Sequence, residues 1–282
     1  GGLSLKLKEL KEAGTPVLRL CTWGVVISWI LTTLIARFIL GFEWGIASLL
    51  GAILVVTGPT VIAPLLRVIQ PSPRVASVVK WEGIVIDPIG ATFALLVFEV
   101  VSAVSLKVAA VDVALTLGKT IAVGVIFGYV AGLVVTRLLE RYAIPDYLHS
   151  IFLLVVVAVL FTASDALQHE AGLLTVTIFG VYLANQDRAR VRHIIEFKEN
   201  LRVLLISTLF IVLSGRVSWA QISELGWRAP VFTLGLILLV RPVCVFLSMW
   251  KTRLPTNEKI LLSALAPRGI VAAAVTTVFA LK

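Results

Sequence analysis

A carboxylate set deep in an apolar run is the strongest chemical feature of this sequence. Asp87 lies in Trp81-Glu82-Gly83-Ile84-Val85-Ile86-Asp87-Pro88-Ile89-Gly90-Ala91. At helical spacing, positions 83, 87, 90, 91 and 94 fall on one face, so the carboxylate stands on a stripe of Gly and Ala that lets another backbone come close. Pro88 has no amide hydrogen and leaves the Ile84 carbonyl without its helical donor, a second oxygen close to the first. Burial disfavours the charged form of a carboxyl group, so such a group trades between a proton and a cation. Competition for one carboxylate is the simplest chemistry of exchange. Glu82, five residues earlier, points about 140° away round the helix and needs another partner. Arg241, within Leu239-Val240-Arg241-Pro242, is the predicted one, and a buried pair of this kind reads as a structural clamp. Arg268 has two readings of equal weight, a charge set at a helix break and an arginine that snorkels to the interface. Glu99, Lys119 and Arg37 lie near helix ends and read as snorkelling charges.

The elements that hold these charges must be membrane helices. The 282 residues are 59% hydrophobic and 15% charged, with a mean hydropathy of +1.02. A soluble domain averages about 25% charged, and a chain of this size has no core large enough to hide the difference. With roughly 20 apolar residues per crossing, the spans are predicted near 17–40, 44–69, 81–104, 113–137, 146–166, 170–186, 200–215, 229–250 and 258–281. The run 146–186 is divided at Gln168-His169, and the span at 200–215 is short enough to start earlier. Strands of a membrane barrel would alternate, and runs such as Leu153-Leu154-Val155-Val156-Val157 do not. Nine spans put Lys6, Lys8, Lys11, Arg67, Arg74, Lys80, Arg137, Arg141, Arg188, Arg190, Arg192, Lys198, Lys251 and Arg253 on one side. Only Lys107, Arg216 and Arg228 lie in loops on the other side. The basic side is cytoplasmic, which places residues 3–15 inside.

Two spans are interrupted by proline, at Thr57-Gly58-Pro59 and at Ala266-Pro267-Arg268-Gly269. Each follows a similar lead-in: Gly2-Leu3-Ser4 through Leu10 to Pro16, and Gly215-Arg216-Val217-Ser218 through Leu225 to Pro230. The first copy begins inside and the second outside, so the repeats are inverted. Broken helix within a bilayer is tolerated only in protein or beside a water-filled cavity, and a matched pair of breaks points to the midplane site of a secondary transporter.

Other classes fit poorly. Basic excess in a membrane chain reflects retained loops, so nucleic acid is not the expected partner. An intramembrane aspartyl protease needs two opposed aspartates and the spans offer one; a serine protease needs a histidine at depth, and His149, His169 and His193 are peripheral. Cys21 and Cys244 sit in apolar runs and read as structural thiols. The chain opens on Gly1-Gly2 and ends in helical pattern, so it reads as an internal piece of a longer polypeptide.

Thr57-Gly58-Pro59-Thr60-Val61-Ile62-Ala63-Pro64, Glu82-Gly83-Ile84-Val85-Ile86-Asp87, Val240-Arg241-Pro242 and Pro267-Arg268-Gly269-Ile270-Val271-Ala272 together resemble the monovalent cation:proton antiporters of the sodium/proton exchanger type. The resemblance runs in order over nearly the whole chain. It implies an all-α polytopic fold with inverted repeats and two proline-broken crossing helices. Residues 44–104 and 229–282 would form core helices, and 113–215 linker and dimerisation-side helices, with Glu170-Ala171-Gly172-Leu173 opening one of the latter. It further implies that Asp87 is the essential carboxylate, that Thr57 offers backbone and hydroxyl oxygen at the break, and that Glu82 and Arg241 form the structural ion pair. Gly58, Pro59, Pro267, Arg268 and Gly269 would form the helix breaks. The chain departs from the family in three places: Gly58 where an acid is usual, Ile86 where asparagine or aspartate is usual, and Gly83 where a hydroxyl is frequent. The implied function is one-for-one exchange of Na+ or K+ for H+ by alternating access, without a cofactor or catalytic residue. The implied setting is a homodimer in a bacterial inner membrane. The thin ligand set keeps a transport-inactive sensor or scaffold as the alternative.

Overall fold

The computed structural model describes residues 2–58, 62–102, 106–187, 192–216, 226–252 and 254–265. All its regular structure in these residues is helical. Five helices are long and apolar enough to cross a membrane: Ala13–Leu40, Pro73–Ser102, Gly118–Glu140, Asp146–Leu167 and Arg228–Ser248. Trp44–Ile53 and Ala171–Asn185 are shorter apolar helices. The expected count of nine spans is thus met only in part among the described residues. Most of the last expected span, 258–281, lies outside them.

The chain divides into two compact units. The first comprises Gly1–Lys8 and Ala110–Leu213. Its helices are α6 (Leu106–Glu140), α7 (His149–Leu167), α8 (Ala171–Asn185) and most of α9 (Arg192–Arg216). α7 stops at Leu167 and α8 starts at Ala171, on either side of Gln168-His169; in the turn, Asp165 Oδ1 accepts the Glu170 amide at 2.8 Å. α9 begins at Arg192, well before residue 200. Gly124, Gly128 and Gly132, spaced by four, bring α6 against α8. A Cβ there would lie 2.7 Å from the Leu174 side chain, 2.6 Å from the Thr175 carbonyl and 2.5 Å from the Tyr182 ring. Small residues at this spacing let two membrane helices meet backbone to backbone. Below the seam, Val135, Leu139, Leu153, Phe179 and Leu183 form the buried core. The N-terminal turn Gly2–Ser4 sits on α8, where Asn185 clasps it: Nδ2 donates to the Leu5 carbonyl at 2.8 Å and Oδ1 accepts the Leu7 amide at 2.7 Å.

The second unit comprises Glu9–Ala109 and Ser214–Lys282. α1 (Leu7–Arg19) runs on through a π-helical turn (Leu20–Gly24) into α2 (Val25–Ile35) and a second π turn (Ala36–Leu40). Gly41, at φ 76°, closes this rod in the left-handed conformation that glycine adopts without strain. Arg37 is spent there: its guanidinium donates to the Phe42 carbonyl at 2.7 Å and lies 5.5 Å from the Trp44 ring centre. α3 (Trp44–Ile53) returns against α2, with Trp29 Nε1 donating to the Ser48 carbonyl at 3.0 Å. The chain then leaves the helix, and α4 (Ile62–Ile69) leads to α5 (Pro73–Ser102). α5 starts well before residue 81 because Pro73 at its first position needs no amide partner and is preset for helical φ. α10 (Arg228–Gly235), a π turn (Leu236–Val240) and α11 (Arg241–Ser248) form one continuous helix, followed by α12 (Thr256–Ala264). Ala36, Ala47, Phe232, Leu236 and Val240 pack as one cluster, and Ala52, Ile53, Ala94 and Val97 as another. The second cluster fixes α3 against α5 just before the chain breaks.

Candidate functional site

The break after α3 is built by sequence and packing together. Helical bonding ends with Leu54 and Val55 donating to Leu50 and Ala52, and Val56, Thr57 and Gly58 follow as buried, non-helical backbone. This segment passes directly over Gly90 of α5, where any Cβ would strike the Val56 side chain. Gly90 shares a helical face with Asp87, so the small-residue stripe serves to admit the broken segment. Gly90→Leu is therefore expected to force the segment off α5, with destabilisation of about 1–3 kcal/mol or more from overpacking. A lowered melting temperature checks this; a variant that melts like the parent refutes the contact.

α5 passes through Pro88 without breaking, and Thr92 Oγ1 donates to the Pro88 carbonyl at 2.8 Å. Asp87 is half-buried, and its Oδ1 is shut away from solvent without a hydrogen-bond partner among the described residues. Thr57 is 7% exposed, and its Oγ1 is likewise buried and unpartnered among them. Buried oxygens are normally satisfied, and these two stand at a helix break and on the helix it crosses.

Arg241 reaches Glu82 with both prongs of its guanidinium, at 2.5 Å and 2.9 Å. Glu82 is 3% exposed and Arg241 7%. The same guanidinium donates to the Leu265 carbonyl at 3.2 Å, tying α5 and α11 to the end of α12. Such a two-pronged pair offsets much of the desolvation of its charges by geometry and hydrogen bonding. Beside it lies a cavity of about 20 Å³, enough for one water. Its lining includes Thr57, Glu82, Arg241, Ile86, Ser28 and Cys244, whose thiol donates to the Gly24 carbonyl at 3.2 Å. The structure thus brings Thr57 and the ion pair to one cavity, with Ile86 as an apolar wall. Asp87 lies outside that lining. Pro59, Pro267, Arg268 and Gly269 lie outside the described residues. The Leu265 carbonyl was not anticipated; its place just before Ala266-Pro267 was the available signal.

The profile described as "Sodium/hydrogen exchanger, transmembrane" matches residues 1–282. Na(+)/H(+) antiporter 1 of Methanocaldococcus jannaschii is 25% identical over 281 residues, covering 97% of this chain and 66% of that protein. K(+)/H(+) antiporter NhaP2 of Shewanella oneidensis is 24% identical over 250 residues, covering 88% of this chain and 43% of that protein. The chain thus spans from under half to two thirds of the length of these relatives. The solved structure of the sodium proton antiporter MjNhaP1 from M. jannaschii superposes with a TM-score of 0.82 at 22% identity, over 99% of this chain and 69% of that one. The fold is that of this antiporter. With its whole length matched and its helices so arranged, the chain belongs to the sodium/hydrogen exchanger transmembrane family.

Proposed function

We propose that this chain forms the ion-handling part of a secondary transporter that exchanges a monovalent cation, Na+ or K+, for H+ by alternating access. The observation that carries the reading is the buried Oδ1 of Asp87, without a hydrogen-bond partner among the described residues, on the helix that the broken segment crosses. Asp87 binds the proton and the cation in turn, and Thr57 adds oxygen from the break. Glu82 and Arg241 hold the moving unit together and take no ion. With one site carboxylate, exchange is one for one. The protein works as a homodimer in a bacterial inner membrane, with residues 3–15 in the cytoplasm. In the relatives' names the cation is Na+ in one case and K+ in the other, and both are carried as substrates to be tested.

The test is reconstitution of the whole protein in vesicles with an imposed pH gradient. Added Na+ or K+ is expected to dissipate the gradient, and no response to either ion overturns the proposal. Gly58 and Ile86 favour one rival, a transport-inactive sensor, because neither supplies an oxygen-bearing side chain beside Thr57 and Asp87. The same assay decides between them. If these two positions set the thin ligand set, Gly58→Asp with Ile86→Asn is expected to lower the apparent Km for the cation and change the Na+/K+ preference. Each added ionic ligand bond has a value on the order of 1.5–3 kcal/mol, about tenfold or more in affinity. Unchanged apparent affinity for both ions would place the cation elsewhere.

A further inference from the structure

A second cavity, of about 290 Å³, opens where the π turn Leu20–Gly24 meets the end of α11. It is lined by Arg19, Trp23, Leu247, Ser248, Trp250 and Lys251. We propose that this cavity binds the headgroup phosphate of an anionic phospholipid. The two cations face it without any carboxylate paired to either among the described residues. Ser248, 4% exposed, lines the cavity beside them. The carbonyl end of α11 carries roughly half a negative charge, which two full positive charges outweigh.

The aromatic rim selects a lipid over a free anion. Trp23 is 67% exposed and Trp250 is 76% exposed, a poor arrangement in water but the usual one at the level of lipid headgroups. Leu247 beside them is exposed as well and would meet acyl chain. The cavity lies between the first turns of the span Ala13–Leu40 and the end of the span Arg228–Ser248, on the side where the sequence is expected to gather its basic loops. Basic pockets between helices on that side are suited to acidic lipid headgroups. A phosphate diester carrying acyl chains answers both halves of the cavity; inorganic phosphate answers one.

The experiment is thermal unfolding of the whole purified protein in neutral detergent, with phosphatidylglycerol, phosphatidylcholine or inorganic phosphate added. Phosphatidylglycerol is expected to raise the melting temperature by about 2–4 °C or more, and the other two by less. Arg19→Gln with Lys251→Gln is expected to abolish the difference between the two lipids while leaving the melting temperature in phosphatidylcholine unchanged. Lys251→Gln alone, a change at an exposed side chain, is expected to reduce the difference and serves if the double variant does not fold. Bound phosphatidylglycerol counted by native mass spectrometry should fall in step. An unchanged phosphatidylglycerol effect in these variants, or an equal effect from inorganic phosphate, overturns the proposal. None of these readouts involves ion movement, so failure here leaves the exchange reading untouched.

Discussion

Asp87→Asn is expected to reduce cation-driven proton movement to background in vesicles holding the whole protein, with the fold intact. The amide keeps the size of the carboxyl and cannot release a proton or neutralise a cation. Its neighbours lose nothing, because Oδ1 has no hydrogen-bond partner to forfeit among the described residues. A charge in a bilayer interior costs at least about 2.5–3.5 kcal/mol on insertion scales, so the variant is expected to melt at the same temperature or higher. On the proposed assignment, protons and cations compete for one group in the parent protein. Lowering the pH should therefore raise the apparent Km for the cation while leaving the maximal rate at saturating cation nearly constant over the same range. Residual pH-driven cation flux in a well-folded Asp87→Asn protein would falsify the assignment.

The second large effect belongs to the ion pair, and it is a loss of stability. Glu82→Gln leaves Arg241 charged and buried, and Arg241→Ala leaves Glu82 so; each is expected to cost about 3–5 kcal/mol. The double variant should recover part of that, since no charge is then stranded. Recovery should be incomplete because Arg241 also donates to the Leu265 carbonyl, a bond lost with it. Melting curves of the four proteins in one detergent check the cycle. Strictly additive losses would mean that the two side chains act independently, against the geometry described here.

Much of this arrangement was legible because membrane insertion writes in long apolar runs. The division at Gln168-His169 shows as polar residues inside a run twice too long for one span, and the break at Thr57-Gly58 shows as a proline in mid-span. Glu82 and Arg241 were legible as a pair because a lone buried charge is too costly to leave unanswered. Other features left no such trace. Hydropathy reports that α6 is apolar but not which side meets protein, so the seam at Gly124, Gly128 and Gly132 emerged only with α8 in place. The start of α5 at Pro73 was missed because its first turns lie outside the apolar run. The cavity that joins Thr57 to the ion pair needs three separated stretches of chain, and no local pattern announces it.

The π turns described above, Leu20–Gly24, Ala36–Leu40 and Leu236–Val240, bear on how such chains change over evolutionary time. A π turn is an α turn holding one residue to spare, and removing that residue lets the helix close up without breaking. Insertions and deletions are usually confined to loops, because elsewhere they turn every later side chain about 100° away from its neighbours. Within these rods a single residue can be gained or lost at defined places, with the turn absorbing the rotation. A one-residue gap inside a transmembrane helix of a relative is then expected to fall at such a turn, with the helix on either side keeping its partners.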